Sequence, residues 1–219
     1  MKSFLVIGMG RFGHHLVTNL MNQGAEVMIV DEVQERMDDL LNVVTSAKIG
    51  DCTKEEVLKT LGVGNFDMCI VCIGTNFQSS LEITSLLKEM GAKYVVSKAT
   101  RDIQAKFLLR NGADEVIYPD RDIAERLAVK YSSDKIYDYI ELTGEYAVYE
   151  IPLMKEWVGK SIKDLQFRSK YNVNILGIKD NNVTSFAPSA DHVFKNNQHI
   201  MVTGTKEQVM KLVKKIRNI

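Results

Sequence analysis

An excess of charge of either sign is missing from this 219-residue chain, in which 28 Lys and Arg stand against 28 Asp and Glu. Neutrality removes the broad attraction that non-specific nucleic-acid or anionic-lipid binding draws on. Long apolar runs are missing too. The longest are strand-sized, well short of the ~20 residues needed to cross a bilayer. After Met1-Lys2 the chain enters such a run and then a glycine turn, an order unlike that of a signal peptide. Cysteine is scarce: three residues, an odd number, give no disulfide framework and fit a cytosolic protein. Cys69 and Cys72 have CxxC spacing, but the apolar run from Met68 to Ile73 is of strand type. Residues at i and i+3 of a strand point to opposite faces, so the two thiols are expected to pack separately rather than form a redox or metal pair. His14 and His15 are adjacent while His192 and His199 lie far away, so neither a metal-ligand grouping nor a catalytic triad can be read. A Walker A pattern is absent, which sets aside an ordinary P-loop ATPase.

With 45% hydrophobic and 26% charged residues, the chain has the balance of a folded soluble protein. Its length suffices to bury roughly 70% of the extended surface in one core or two small ones. The first half alternates apolar runs with helix-period segments. Strands are expected at Phe4 to Ile7, Val27 to Val30, Val44 to Ile49, Met68 to Ile73, Tyr94 to Ser97 and Glu115 to Ile117. Helices are expected near Leu16 to Met21, Gln34 to Leu41, Lys54 to Leu61, Ser79 to Met90, Ile103 to Arg110 and Asp120 to Val129. Continuously apolar strands joined by amphipathic helices imply a parallel sheet covered on both faces, hence an α/β, Rossmann-like, doubly wound domain. The rhythm breaks at the polar run Ser132 to Lys135, which places the first domain at 1–134, including a linking helix. A smaller α+β domain follows at 135–219. Its expected strands are Tyr146 to Ile151, Val173 to Ile178, Val183 to Phe186 and His199 to Val202, and its expected helices Ser161 to Leu165 and Thr205 to Ile216.

Gly8-Met9-Gly10-Arg11-Phe12-Gly13 is G-x-G-x-x-G between a strand and a helix, the context that gives the pattern meaning. Gly8 permits a tight turn, Gly10 lets the backbone approach a phosphate, and Gly13 allows the helix to pack closely on the sheet. The exposed N–H groups of that helix attract an anion. Asp31 ends the second strand, where its carboxylate can accept ribose hydroxyls and repel a 2′-phosphate. Arg11 offers a guanidinium to phosphate or to solvent, and Phe12 packs under the loop or faces a neighbouring surface. Asp51 touches adenine or ribose, or caps a helix. Cys52 can line the same pocket, and Ile73, Gly74 and Thr75 close the fourth strand where backbone groups reach the ligand. Lys98 faces either phosphates or solvent. Nothing downstream looks like a proton donor with a positioning neighbour, so the site favours a sensor over an enzyme.

These motifs, with Gly50-Asp51-Cys52-Thr53, Ile73 to Ser80 and Gly112-Ala113-Asp114-Glu115-Val116-Ile117-Tyr118-Pro119, resemble the RCK (regulator of potassium conductance) family across nearly the whole chain. The chain looks like its KtrA/TrkA-type cytosolic subunits. The resemblance implies homodimers assembled into an octameric ring, peripheral at the membrane beneath a separate potassium-translocating subunit, with no nucleic-acid partner. It also implies ATP or ADP at the glycine loop, NAD(H) in some members, and gating through ring shape rather than hydrolysis. By the same resemblance Arg11 approaches the terminal phosphate, its own or across the dimer, and Asp31 is the ribose acid. Asp120 falls where many relatives carry a cation-binding glutamate; its shorter carboxylate departs from the pattern, and its bland role is the N-cap of the next helix. Trp157 to Leu165 and Tyr171 to Ile178 are similar to the family's C-terminal core, which in KtrA-like members can bind cyclic di-AMP at a dimer interface. Ile162, Arg168, Asn174, Ile175 and Pro188 match there, although by residue type alone Ile162 and Ile175 are more simply core, Arg168 a solvated charge and Pro188 a turn. An NAD(H)-dependent redox sensor or oxidoreductase is the alternative function. A DNA-binding repressor would need a basic face or helix-turn-helix, which the chain does not offer.

Overall fold

Phe4 to Ile7 are buried one after another, so the strand Ser3–Ile7 (β1) needs apolar cover on both faces. It lies inside a six-stranded sheet. The computed structural model describes residues 1–181 and 183–217; Asn182, Asn218 and Ile219 of the expected second domain lie outside the described residues. After β1 come α1 (Arg11–Asn22), β2 (Glu26–Asp31), β3 (Ser46–Ile49), α2 (Glu55–Lys59), β4 (Met68–Val71), α3 (Phe77–Glu89), β5 (Val95–Lys98), α4 (Asp102–Arg110), β6 (Glu115–Ile117) and α5 (Pro119–Tyr131). All six strands run parallel in the order β3-β2-β1-β4-β5-β6. The chain thus winds outward from β1, returns, and winds out the other way, opening a crevice between the carboxyl ends of β1 and β4.

Side chains alternate between two apolar layers. Leu5, Ile7, Cys69 and Val71 meet Ile83 and Leu87 of α3. Phe4, Val6, Ile70 and Cys72 meet Val17 of α1 and Met37. Each such aliphatic contributes about 1.5–3 kcal/mol on full burial. Cys69 and Cys72 lie in opposite layers, as strand alternation requires.

The stretch expected as a helix from Gln34 to Leu41 is instead one 3-10 turn, Gln34–Arg36, followed by further turns. Its hydrogen bonds run i to i+3, from Met37 N–H to Gln34 and from Leu40 N–H to Met37. Met37 and Leu40 are buried at that same spacing, and the Val33 N–H is drawn back to the Asp31 carboxylate. The tight turn buries Met37 and Leu40 while the Asp31 carboxylate satisfies the Val33 N–H.

The remaining elements form a second unit: β7 (Asp138–Glu141), β8 (Tyr146–Pro152), α6 (Ile162–Leu165), α7 (Phe167–Tyr171), β9 (Asn174–Asp180), β10 (Val183–Phe186), β11 (His199–Thr205) and α8 (Lys206–Arg217). The strands make an antiparallel sheet, β10-β9-β11-β8-β7. Its core gathers Tyr149, Ile151, Ile200 and Val202 from the sheet with Val209, Leu212 and Val213 from α8. Trp157, the single tryptophan, stands edge-on to Phe167 at 4.7 Å between centroids. Strand β7 was not expected, because Asp138-Tyr139-Ile140-Glu141 buries Tyr139 and leaves little apolar pattern. The two compact units divide at Arg121/Asp122, inside α5, where the polar run Ser132 to Lys135 had suggested a later boundary.

Cys52, Cys69 and Cys72 are all buried, and loss of solvent pushes each thiol up to about 12. Titration with a disulfide reagent at neutral pH is expected to leave the folded protein nearly unlabelled and to count three thiols only after guanidinium unfolding. Rapid stoichiometric labelling of native protein would contradict this.

Candidate functional site

The carboxyl ends of β1 to β5 open onto a cleft of about 580 Å³. Its floor is the turn after β1. Gly8 donates its N–H to Val30 O at 2.9 Å and holds φ at +96°, a conformation that favours glycine. A Cβ on Gly13 would stand 2.1 Å from Gly8 O, so α1 can press onto the strand end only without a side chain there. Gly10 differs: a Cβ there would meet nothing within 4 Å. The open space lies in front of the first turn of α1, whose N–H groups receive no side-chain cap and whose first turn holds no acid. Unpaired N–H groups and the helix dipole together favour an anion at this point.

Asp31 anchors the turn. Its side chain is 3% exposed, and Oδ2 accepts the Met9 N–H at 2.7 Å. Oδ1 accepts the Val33 N–H at 2.9 Å and Arg36 Nη1 at 3.2 Å. Asp51 accepts the Thr53 hydroxyl at 2.6 Å and the Thr53 N–H at 2.9 Å, and these two bonds hold its carboxyl below the usual range. The residue closes a local turn and does not cap α2 with its side chain, so the capping alternative falls away.

Eleven of the thirteen residues expected at the nucleotide line this cleft: Gly8, Gly10, Arg11, Phe12, Asp31, Asp51, Cys52, Ile73, Gly74, Thr75 and Lys98. Met9 and Gly13 are buried and stand behind it, one tying the loop to Asp31 and the other seating the helix. Lys98 turns inward: its side chain is 14% exposed, its Nζ lies 5.5 Å from the Phe12 ring centroid and 3.8 Å from Asp120 Oδ2. Arg11 is exposed at the mouth and has no ion-pair or hydrogen-bond partner among the described residues.

Asp120 also lines the cleft, but it is not an N-cap. Helix α5 begins one residue earlier, at Pro119, whose fixed φ suits a first helical position, so Asp120 belongs to the first turn. Among the described residues no three His, Cys, Asp or Glu side chains converge as a metal group. A cation beside Asp120 would therefore take its other ligands from phosphate oxygens or water. Sequence reasoning missed Arg36, Thr53, Asn76 and Thr100 on the cleft wall. Asn76 carried a signal, since its Oδ1 accepts the Ser79 N–H at 3.1 Å as the N-cap of α3. Arg36 carried none, because its stretch read as an ordinary helix.

A second recess, about 490 Å³, lies on the smaller unit. Ile162, Arg168, Asn174, Ile175 and Pro188 all line it. Arg168 Nε donates to Asn174 Oδ1 at 2.9 Å, while Ile162 and Ile175 are half-buried against the core.

A glycine turn, an acid closing the second strand and a cleft at the β1/β4 reversal define a Rossmann-type nucleotide-binding domain, here followed by a small α+β domain. Residues 4–119 match the TrkA-N domain and residues 146–217 the TrkA-C domain. The chain is 37% identical over 215 residues to Ktr system potassium uptake protein C of Bacillus subtilis (strain 168), covering 98% of this chain and 97% of that one. It is 34% identical over 208 residues to Ktr system potassium uptake protein A of the same strain, covering 95% and 94%. Among solved structures it shares its fold with the GsuK RCK domain, with a TM-score of 0.66 at 17% identity over 97% of this chain and 47% of that one. The GsuK channel bound to NAD gives 0.66 at 16% identity, over 94% and 38%. GsuK bound to ADP gives 0.52 at 14%, over 61% and 36%. With both domain matches in sequence order and relatives of this identity along its length, the chain belongs to the TrkA-N/TrkA-C family of RCK proteins.

Two glycine substitutions separate fold from site. Gly13→Ala drives a Cβ into a backbone oxygen and is expected to destabilise the protein by about 1–3 kcal/mol, seen as a lowered melting temperature. Gly10→Ala meets open space and is expected to melt close to wild type. Equal losses for both would mean that the loop is not packed as described.

Proposed function

We propose that this chain is a cytoplasmic, non-enzymatic regulatory subunit of a Ktr-type potassium uptake system, gating a separate membrane-embedded potassium-translocating subunit in response to a nucleotide. The observation that carries this is Arg11, unpaired at the mouth of a cleft whose inner end is the uncapped N-terminus of α1. A nucleotide lying along β1 and β2 would set its phosphates on those N–H groups and its terminal phosphate within reach of Arg11 or of the partner's equivalent arginine. Lys98 supplies a second cation at the same end, and Asp120 would join a cation bridging the phosphates.

The nucleotide acts by binding one ring shape better than another. A differential of about 1–3 kcal/mol is enough for regulation without hydrolysis. ATP and ADP are the ligands we infer, with NAD(H) as a further occupant; GsuK has been solved with NAD and with ADP. The recess holding Arg168 and Asn174 is the place for cyclic di-AMP as a separate inhibitory input.

Homodimers, and an octameric ring built from them, complete the proposal. Helix α5 buries none of its residues and aligns Ile123, Leu127 and Tyr131 at i, i+4 and i+8, exposed by 55%, 41% and 75%. Such a stripe is suited to a second copy of the chain. Among the described residues no helix is long and apolar enough to cross a membrane, and the ion path is assigned to the translocating subunit.

Calorimetric titration of nucleotide-stripped protein is expected to show ATP and ADP binding, with Arg11→Ala weakening ATP about 10-fold or more and ADP less. Binding of NAD and NADH alone, indifferent to Arg11→Ala, would move the redox-sensor reading ahead. In light scattering, Ile123→Glu combined with Leu127→Glu is expected to reduce the mass toward that of a single chain. A mass unchanged from wild type would remove α5 from the subunit contact.

A further inference from the structure

We propose that Arg36 sets how strongly the cleft distinguishes a ribose from a 2′-deoxyribose, by occupying acceptor capacity on Asp31 that the sugar would otherwise use. The inference rests on the nucleotide-binding reading above. An ionised carboxylate offers about four lone-pair sites. Three are filled here, by the Met9 N–H on Oδ2 and by the Val33 N–H and Arg36 Nη1 on Oδ1. One is left, on Oδ2. A ribose presents two donors, its 2′- and 3′-hydroxyls, whereas a 2′-deoxyribose presents one. While Arg36 holds Oδ1, the second hydroxyl finds no acceptor on Asp31, and ribose gains little over deoxyribose.

The three bonds are not equivalent. Met9 and Val33 contribute main-chain groups fixed by the glycine turn and by the end of β2. Arg36 reaches in with a side chain that is 51% exposed, through the longest bond of the three, at 3.2 Å. It is the donor that can leave without the turn coming apart. Glu35, Asp38 and Asp39 line the adjacent recess with Arg36, so a displaced guanidinium has carboxylates beside it. Arg36 is therefore a positioning residue that acts through Asp31.

The test compares ATP with 2′-deoxy-ATP by calorimetry on wild type, Arg36→Met and Arg36→Lys. Arg36→Met is expected to raise the preference for ATP over 2′-deoxy-ATP by about 3- to 10-fold, the scale of one net hydrogen bond, with the 2′-deoxy-ATP affinity little changed. Arg36→Lys keeps a charged donor and is expected to return toward the wild-type ratio. Thermal melting of each variant checks that the cleft is folded. An unchanged ratio, a ratio that falls because Arg36 itself holds the 2′-hydroxyl, or an equal loss of both nucleotides overturns the proposal. Wild-type protein that binds neither nucleotide overturns the nucleotide reading itself, a result distinct from all three.

Discussion

The bond from the Met9 N–H to the buried carboxylate of Asp31, 2.7 Å long, ties the glycine turn after β1 to the end of β2. The shape of the cleft follows from it. With Met9 held, Gly8 turns back on Val30 through its own N–H, and Gly13 brings α1 against the strand end at a distance no side chain allows. The free N–H groups of the helix then face the crevice between β1 and β4 rather than solvent at large. A buried carboxylate needs such partners, because an unpaired charge at this depth would cost several kcal/mol. Asp31 thus has a structural duty, and any ligand that used its carboxylate would have to share the same oxygen atoms.

The charges around the cleft differ in exposure and pairing. Arg11 is exposed and unpaired among the described residues, Lys98 is largely buried beside Phe12 and Asp120, and Arg36, half exposed, is held on Asp31. Cations at the helix end of the cleft suit phosphates, while the acids Asp31 and Asp51 belong to the ends of β2 and β3, where a ribose or base would lie. The smaller unit has another chemistry: a mostly apolar recess with one Arg–Asn pair, built on an antiparallel sheet with its own aromatic core. The two units are cored separately, and each carries its own recess.

Much of the first domain could be read before any coordinates. Its central strands are continuously apolar and α1, α3 and α4 are each followed within two residues by a glycine, so local pattern and tertiary burial agree. The glycine turn, Asp31 and the carboxyl-edge residues from Ile73 to Thr75 fell into one cleft for that reason. The departures have separate causes. Gln34 to Leu41 has helical spacing, yet a carboxylate outside the segment draws in Val33 and Arg36 and leaves a 3-10 turn. For Asp120 the N-cap alternative fails, because the proline before it opens the helix one residue sooner. Strand β7 shows no legible periodicity, because its one buried residue, Tyr139, stands between Asp138 and an exposed Ile140.

Local sequence thus decided the order of the elements, the parallel sheet and the place of the glycine turn, since these follow from burial periodicity and backbone freedom, which neighbouring residues set among themselves. Tertiary structure alone decided which polar groups meet. Nothing in the spacing of Met9, Val33 and Arg36 says that the Asp31 carboxylate will hold all three, or that Lys98 will turn inward to Phe12 and Asp120. Those contacts depend on the angles at which strands and turns come together, and they form because a buried charge must find partners wherever the packed fold brings them within reach.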